Sequence, residues 1–225
     1  MNGLAVFDLD GTLVDTAPDL IDTCNIVLER RGVPPMAAAD LMPHISMGAR
    51  AMIAASLASA GITLPSDEID VVYSDFLEHY PERIARYSRP FPELLDALDR
   101  LEAAGVGLAV CTNKREKNAR QLLDALGLTP RFRFVAGFDT FPVSKPDPGH
   151  LTGTIEAAGG AVNRTVYVGD SRVDVMTARA AKVPFVGLGY GYTDVPMRDL
   201  APDRLMDRGD DVGAAILELL AALPA

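Results

Sequence analysis

The sequence predicts an α/β protein, a doubly wound parallel sheet with an all-helical segment inserted after the first strand. Three observations lead to that class. Short apolar runs alternate with stretches of helical spacing through the second half of the chain. The span from Val14 to Ser88 carries helical spacing and no clear strand. Carboxylates, hydroxyls and a lysine recur just after the apolar runs, where an open parallel sheet binds its ligands.

The elements follow in order. Leu4 to Leu9 is a short apolar run ending at an acid, and it reads as a buried strand with Gly11-Thr12 as the turn after it. Asp19 to Arg31 has helical spacing, with Pro18 suited to a first turn and Gly32 closing it. After Val33-Pro34-Pro35, helices are expected over about Ser46–Ala60 and Ser66–Ile84. Past Arg89-Pro90 the pattern changes. Helices are expected at Phe91–Ala104, Glu116–Leu126, Pro148–Ala158, Val173–Ala181 and Asp211–Leu223. Strands are expected at Gly107–Cys111, Phe134–Ala136, Thr165–Val168 and Phe185–Leu188. The division implied is a core of residues 1–14 and 89–225 with a helical cap of residues 15–88. A hinge is expected near Val14–Asp15 and Tyr87–Pro92.

Bulk properties narrow the function. At 225 residues the chain can bury a substantial core. A formal charge of −10 argues against nucleic acid as a partner and repels anions at long range. A phosphate site must then make its own local positive field. Cys24 and Cys111 are too few for a disulfide framework and read as reduced, buried thiols, as expected of a cytoplasmic protein. No apolar run reaches membrane-spanning length, and a signal peptide is not expected before Asp8. A monomer or a homodimer would suit the chain equally.

Four polar elements fall at successive strand ends. They are Asp8-Leu9-Asp10-Gly11-Thr12, then Thr112-Asn113, then Lys145-Pro146, then Gly169-Asp170-Ser171 with Asp174. Two carboxylates two residues apart repel each other, and a divalent cation such as Mg²⁺ would relieve that cost. Each element alone has an ordinary structural account: a turn, a helix N-cap, an exposed loop, a cap with a surface acid. Their common order at one sheet edge points to a shared site.

With these motifs the sequence resembles the haloacid dehalogenase superfamily of phosphotransferases over nearly its whole length. The resemblance implies a Rossmann-like core with a helical cap after the first strand. It implies that Asp8 is the nucleophile, forming an aspartyl-phosphate, and that Asp10 is the acid and base. Mg²⁺ would bind the Asp8 carboxylate, the Asp10 carbonyl and Asp170, with Asp174 acting directly or through a neighbour. Thr112 and the Asn113 amide would bind phosphoryl oxygens, and Lys145 would hold Asp8 and the phosphate together. Ser171 serves equally well as a helix cap.

Asp10 separates this chain from dehalogenases and phosphonate hydrolases, which lack an acid there. No lysine precedes Lys114, so a Schiff base from the cap is not expected. Sugar-phosphate mutases share the four motifs but typically carry a His where this chain has Leu20. Asp15-Thr16-Ala17-Pro18-Asp19-Leu20 and Gly189-Tyr190-Gly191-Tyr192 resemble the phosphoglycolate phosphatase branch. Lys182 and Thr193-Asp194 depart from that branch. A small anionic phosphate ester is therefore the expected partner. A sugar phosphate, a mutase reaction and a non-catalytic binding role are the alternatives. Arg50 is the cap candidate for the distal carboxylate of the substrate, and a solvated helix arginine explains it equally well. Lys114 could stand at the pocket rim or on the surface. Tyr190 and Tyr192 are expected to pack near the site.

Overall fold

The computed structural model describes residues 3–224. Strand β1 (Leu4–Phe7) is followed by a two-residue strand β2 (Val14–Asp15). Helices α1 (Ala17–Glu29), α2 (Ala38–Leu41), α3 (Ala49–Ser59) and α4 (Ser66–His79) come next. The chain returns through β3 (Arg89–Pro90), which pairs antiparallel with β2, Asp15 lying opposite Arg89. Then follow α5 (Pro92–Ala103), β4 (Gly107–Cys111), α6 (Glu116–Ala125), β5 (Phe134–Ala136) and α7 (Pro148–Ala157). Strand β6 (Thr165–Gly169), α8 (Arg172–Ala181), β7 (Phe185–Leu188), β8 (Arg204–Met206) and α9 (Val212–Ala222) complete the described chain.

Six strands form one parallel sheet in the order β5-β4-β1-β6-β7-β8. The first strand sits inside the sheet, and the chain winds outward from it on both sides. That reversal opens a crevice at the carboxyl ends of β1, β4 and β6. Alternation along β1 divides the core. Ala5 and Phe7 face a cluster with Leu94, Leu98, Ile216 and the buried side chains of α1, α3 and α4. Leu4 and Val6 face the opposite cluster, with Leu151, Ile155, Val175 and Ala178.

The structure departs from the sequence expectations at several places. The span from Val14 to Ser88 does contain a strand, since Val14 and Asp15 pair with β3. The helix expected from Ser46 starts at Ala49, after a 3-10 turn over Met42–Met47 that Gly48 ends at φ 89°. The helix expected to reach Ile84 stops at His79, where Pro81 enters a 3-10 turn over Tyr80–Glu82. The edge strand β8 escapes the apolar pattern because Arg204 and Leu205 are exposed.

No helix among the described residues is long and apolar enough to cross a membrane.

Candidate active site

Strand register brings the motifs together. Phe7 is level with Val110 of β4 and with Val168 of β6. Asp8, Thr112 and Asp170 therefore leave three adjacent strands at nearly one height. Asp8 is still held by the sheet, its N–H donating to the Val168 carbonyl at 2.9 Å. Asp8 continues the alternation of Leu4 and Val6, so its side chain belongs to the face covered by α7 and α8.

Lys145 is at the centre of that face. Its Nζ donates to Asp174 Oδ1 at 2.7 Å and to the Tyr167 hydroxyl at 3.0 Å. It stands 2.9 Å from Asp8 Oδ1 without hydrogen-bond geometry, so that buried oxygen lacks a directed donor. Asp174 is saturated. Its Oδ1 accepts from Lys145 and Tyr167, and its Oδ2 accepts from the N–H and hydroxyl of Ser171. Ser171 in turn caps α8, so Ser171 and Asp174 form a reciprocal capping box. Burial pushes the Asp8 carboxyl up to about 7, against the pull of Lys145 and with the push of Asp174. Asp174 is shifted down: burial acts against this, but Lys145 and the hydrogen bonds outweigh it. Lys145 is shifted up: burial disfavours its charge, but Asp174 and Asp8 more than offset that.

Asp170 closes the other side. Its Oδ1 accepts from the Thr12 hydroxyl and its Oδ2 from the Tyr192 N–H, both at 2.7 Å. Gly11, at φ +81°, lies so close that a Cβ would stand 2.5 Å from Asp170 Oδ2. Burial, then Asp174 and Asp8, raise the Asp170 carboxyl well above the usual range. Oxygens of Asp8, Asp170 and Asp174 lie within 4.8 Å of one another, all three residues being buried. Two acids held against their ionised forms, one with an undirected oxygen, suit a divalent cation. Asp8 and Asp170 fit that role. Asp174 lies within reach, but both of its oxygens already serve Lys145, Tyr167 and Ser171.

The remaining groups line a cavity of about 380 Å³ that reaches from Asp8, Thr112 and Lys145 to α3 and α4. Thr112 accepts from the Lys114 N–H at 3.1 Å, which leaves its own hydroxyl proton free to donate. Asn113 does something the sequence did not suggest. Its side chain exchanges two hydrogen bonds with the main chain of Lys145, at 3.0 and 3.1 Å. The amide expected to bind phosphate thus fixes the loop that delivers Lys145. Asp10 turns its carboxylate onto Lys114, whose Nζ donates to both oxygens at 2.8 and 3.0 Å. Lys114 is no surface lysine, its side chain being 5% exposed. Arg50 lines the cavity, but its guanidinium is tied to Asp70 and the Ser66 hydroxyl, each at 2.8 Å.

Tyr167, Thr12 and Tyr80 are the site neighbours that sequence reasoning missed. Tyr167 lies within the apolar run of β6, where it reads as core. Thr12 sits in the first motif, one residue after its glycine, and could have been suspected as a donor. Tyr80 had no signal in the sequence.

These features agree with what the chain is similar to. Residues 5–188 match the family model for haloacid dehalogenase-like hydrolases. The chain belongs to that family. The phosphoglycolate phosphatase of Agrobacterium fabrum is 46% identical over 220 residues, 98% of this chain and 94% of its own. That of Caulobacter vibrioides is 41% identical over 226 residues, 100% of this chain and 95% of its own. The crystal structure of a predicted phosphoglycolate phosphatase from Haemophilus somnus superposes with a TM-score of 0.85 at 32% identity, covering 96% of this chain and 97% of that one. The haloacid dehalogenase-like chain is thus a hydrolase of the phosphatase kind.

Proposed function

We propose that this hydrolase cleaves a small phosphate monoester, 2-phosphoglycolate, through an aspartyl-phosphate on Asp8. The observation that carries the reading is the convergence on one cavity of Asp8, its ion-pair partner Lys145 and a second acid, Asp10, two residues on. The phosphoglycolate phosphatases that match the chain over nearly its whole length support the substrate. Leu20 lines the cavity at the place where mutases typically carry a His, which favours hydrolysis over transfer between sugar hydroxyls.

In the first step an Asp8 carboxylate oxygen attacks phosphorus as the ester P–O bond breaks. Asp10 gives a proton to the departing oxygen, releasing the alcohol. In the second step Asp10 takes a proton from water, whose oxygen attacks phosphorus and frees Asp8 and inorganic phosphate. Lys145 and the Thr112 hydroxyl hold phosphoryl oxygens in line with Asp8. Mg²⁺, held by the Asp8 and Asp170 carboxylates with the Asp10 carbonyl, would offset the negative charge that gathers on the phosphoryl group. Residues 15–88 act as a cap over the cavity, and the protein works in the cytoplasm.

The test is phosphate release from 2-phosphoglycolate in the presence of Mg²⁺. Asp8→Asn should lower kcat by more than about 10³-fold, because an amide cannot take up the phosphoryl as a carboxylate does. Its thermal unfolding should change little, since the amide keeps the shape of the carboxyl and Asp174 still pairs with Lys145. Near-normal turnover by Asp8→Asn would sink the mechanism.

A further inference from the structure

Substrate choice within this reaction needs a cation aimed at the part of the substrate that is not phosphate. Among the described residues, four cationic side chains line the cavity: Arg50, Lys114, Arg115 and Lys145. Lys145 is engaged with Asp8 and Asp174. Arg50 is 45% exposed and occupied by Asp70. Arg115 is exposed. Lys114 differs from all three.

Its ammonium is buried beside Asp10, the group that must touch the leaving oxygen. An ammonium has three N–H donors, and Asp10 takes two of them. The ammonium also lies 4.7 Å from the centre of the Tyr80 ring. Tyr80 lines the same cavity, stacked on Phe76 at 5.4 Å between centroids. Its hydroxyl is buried and meets no hydrogen-bond partner among the described residues. A buried phenol hydroxyl without a partner is costly, and a bound acceptor would relieve it.

The chemistry of a 2-hydroxy acid ester fits this pair. Its carboxylate sits on the carbon next to the ester carbon, so the carboxylate oxygens lie within hydrogen-bond length of the leaving oxygen. A cation that touches Asp10 is therefore within reach of such a carboxylate once Asp10 touches the leaving oxygen. We infer that Lys114, with the Tyr80 hydroxyl, receives the substrate carboxylate and is the residue that selects phosphate esters of 2-hydroxy acids. The assignment rests on the phosphatase reading above. It moves the specificity determinant from Arg50 in the helical segment to the loop after β4, completed by one phenol from the end of α4.

The experiment compares two esters of equal reach, 2-phosphoglycolate and ethyl phosphate, on wild type, Lys114→Met and Tyr80→Phe. The readout is the ratio of kcat/KM between the two esters. Losing a charged hydrogen bond to the carboxylate should cut that ratio roughly 10- to 100-fold in Lys114→Met. Tyr80→Phe keeps the ring and the packing, and should cut the ratio several-fold. Competitive inhibition by glycolate, with ethyl phosphate as reporter, should weaken in the same order. A ratio unchanged in both variants overturns the assignment, since Lys114 would then serve Asp10 alone. If wild type hydrolyses neither ester, the phosphatase reading fails and this inference fails with it. If wild type hydrolyses both without preferring the acid, only the inference fails.

Discussion

The hydroxyl of Tyr192 donates to Asp15 while the backbone N–H of the same residue donates to Asp170. One residue thus ties the paired ribbon of β2 and β3 to the acid that closes the far side of the site. The hydroxyl also accepts from the Ala17 N–H at 2.9 Å, at the first turn of α1. Tyr192→Phe removes the hydroxyl and leaves the Ala17 N–H and an Asp15 oxygen short of a partner. The loss should be about 1–3 kcal/mol, read as a lower midpoint in urea. Proteolytic cleavage near residues 14–17 should speed up. A variant as stable as wild type would show that the ribbon holds without Tyr192.

Asp170 and Asp174 should separate on one thermal assay. Mg²⁺ at tenfold its dissociation constant should stabilise wild type by about 1.4 kcal/mol, raising Tm by roughly 3–5 °C. Asp170→Asn should lose that shift. Asp174→Ala should unfold about 3–5 kcal/mol more easily with or without Mg²⁺, because Lys145 loses its main partner and α8 its capping box. An Asp174→Ala chain with wild-type stability would contradict its role as the anchor of Lys145.

His150 sets a pH window away from the reacting groups. It is fully buried, with Nε2 3.0 Å from the Gly137 carbonyl and Nδ1 3.6 Å from the Cys111 thiol. Burial, then Lys145, lower it from 6.5 to about 4. Below pH 6.5 an unfolded histidine takes up a proton that native His150 refuses until about pH 4. Unfolding therefore binds a proton in that window, and stability is full above 6.5 and falls as pH drops toward 4. The contribution is about 3 kcal/mol at most. His150→Gln should flatten the fall in unfolding free energy between pH 6.5 and 4. An unchanged slope would show that His150 does not set it, because the raised carboxyls of Asp8 and Asp170 act in the opposite direction over this window.

The sheet was legible because its strands are buried on both faces and read as unbroken apolar runs. Leu4–Phe7, Gly107–Cys111 and Thr165–Gly169 are all of that kind. The edge strand β8 and the β2–β3 ribbon were not, since Arg204, Leu205 and Arg89 face solvent and a two-residue pair has no period to read. The positions of Asp8, Asp170 and Lys145 at strand ends and in a loop were legible from spacing alone. Their partners were not. Nothing in a linear pattern shows that Asn113 holds the Lys145 backbone, that Tyr167 reaches Lys145, or that Lys114 folds inward onto Asp10. Those relations depend on crossing from one strand end to the next, which only register supplies.

The order of the strands has a consequence for how the protein comes into being. Leu4 pairs with Gly107 on one side and with Thr165 on the other. At about 5–20 residues per second, the first strand leaves the ribosome many seconds before its second neighbour exists. Asp8 therefore spends most of synthesis beside no Lys145, no Asp170 and no completed cavity. The helices between the ribbon strands can pack among themselves in that interval. Asp8 is made early and its partners late, so a truncated chain ending before residue 145 would hold Asp8 without Lys145 or Asp170.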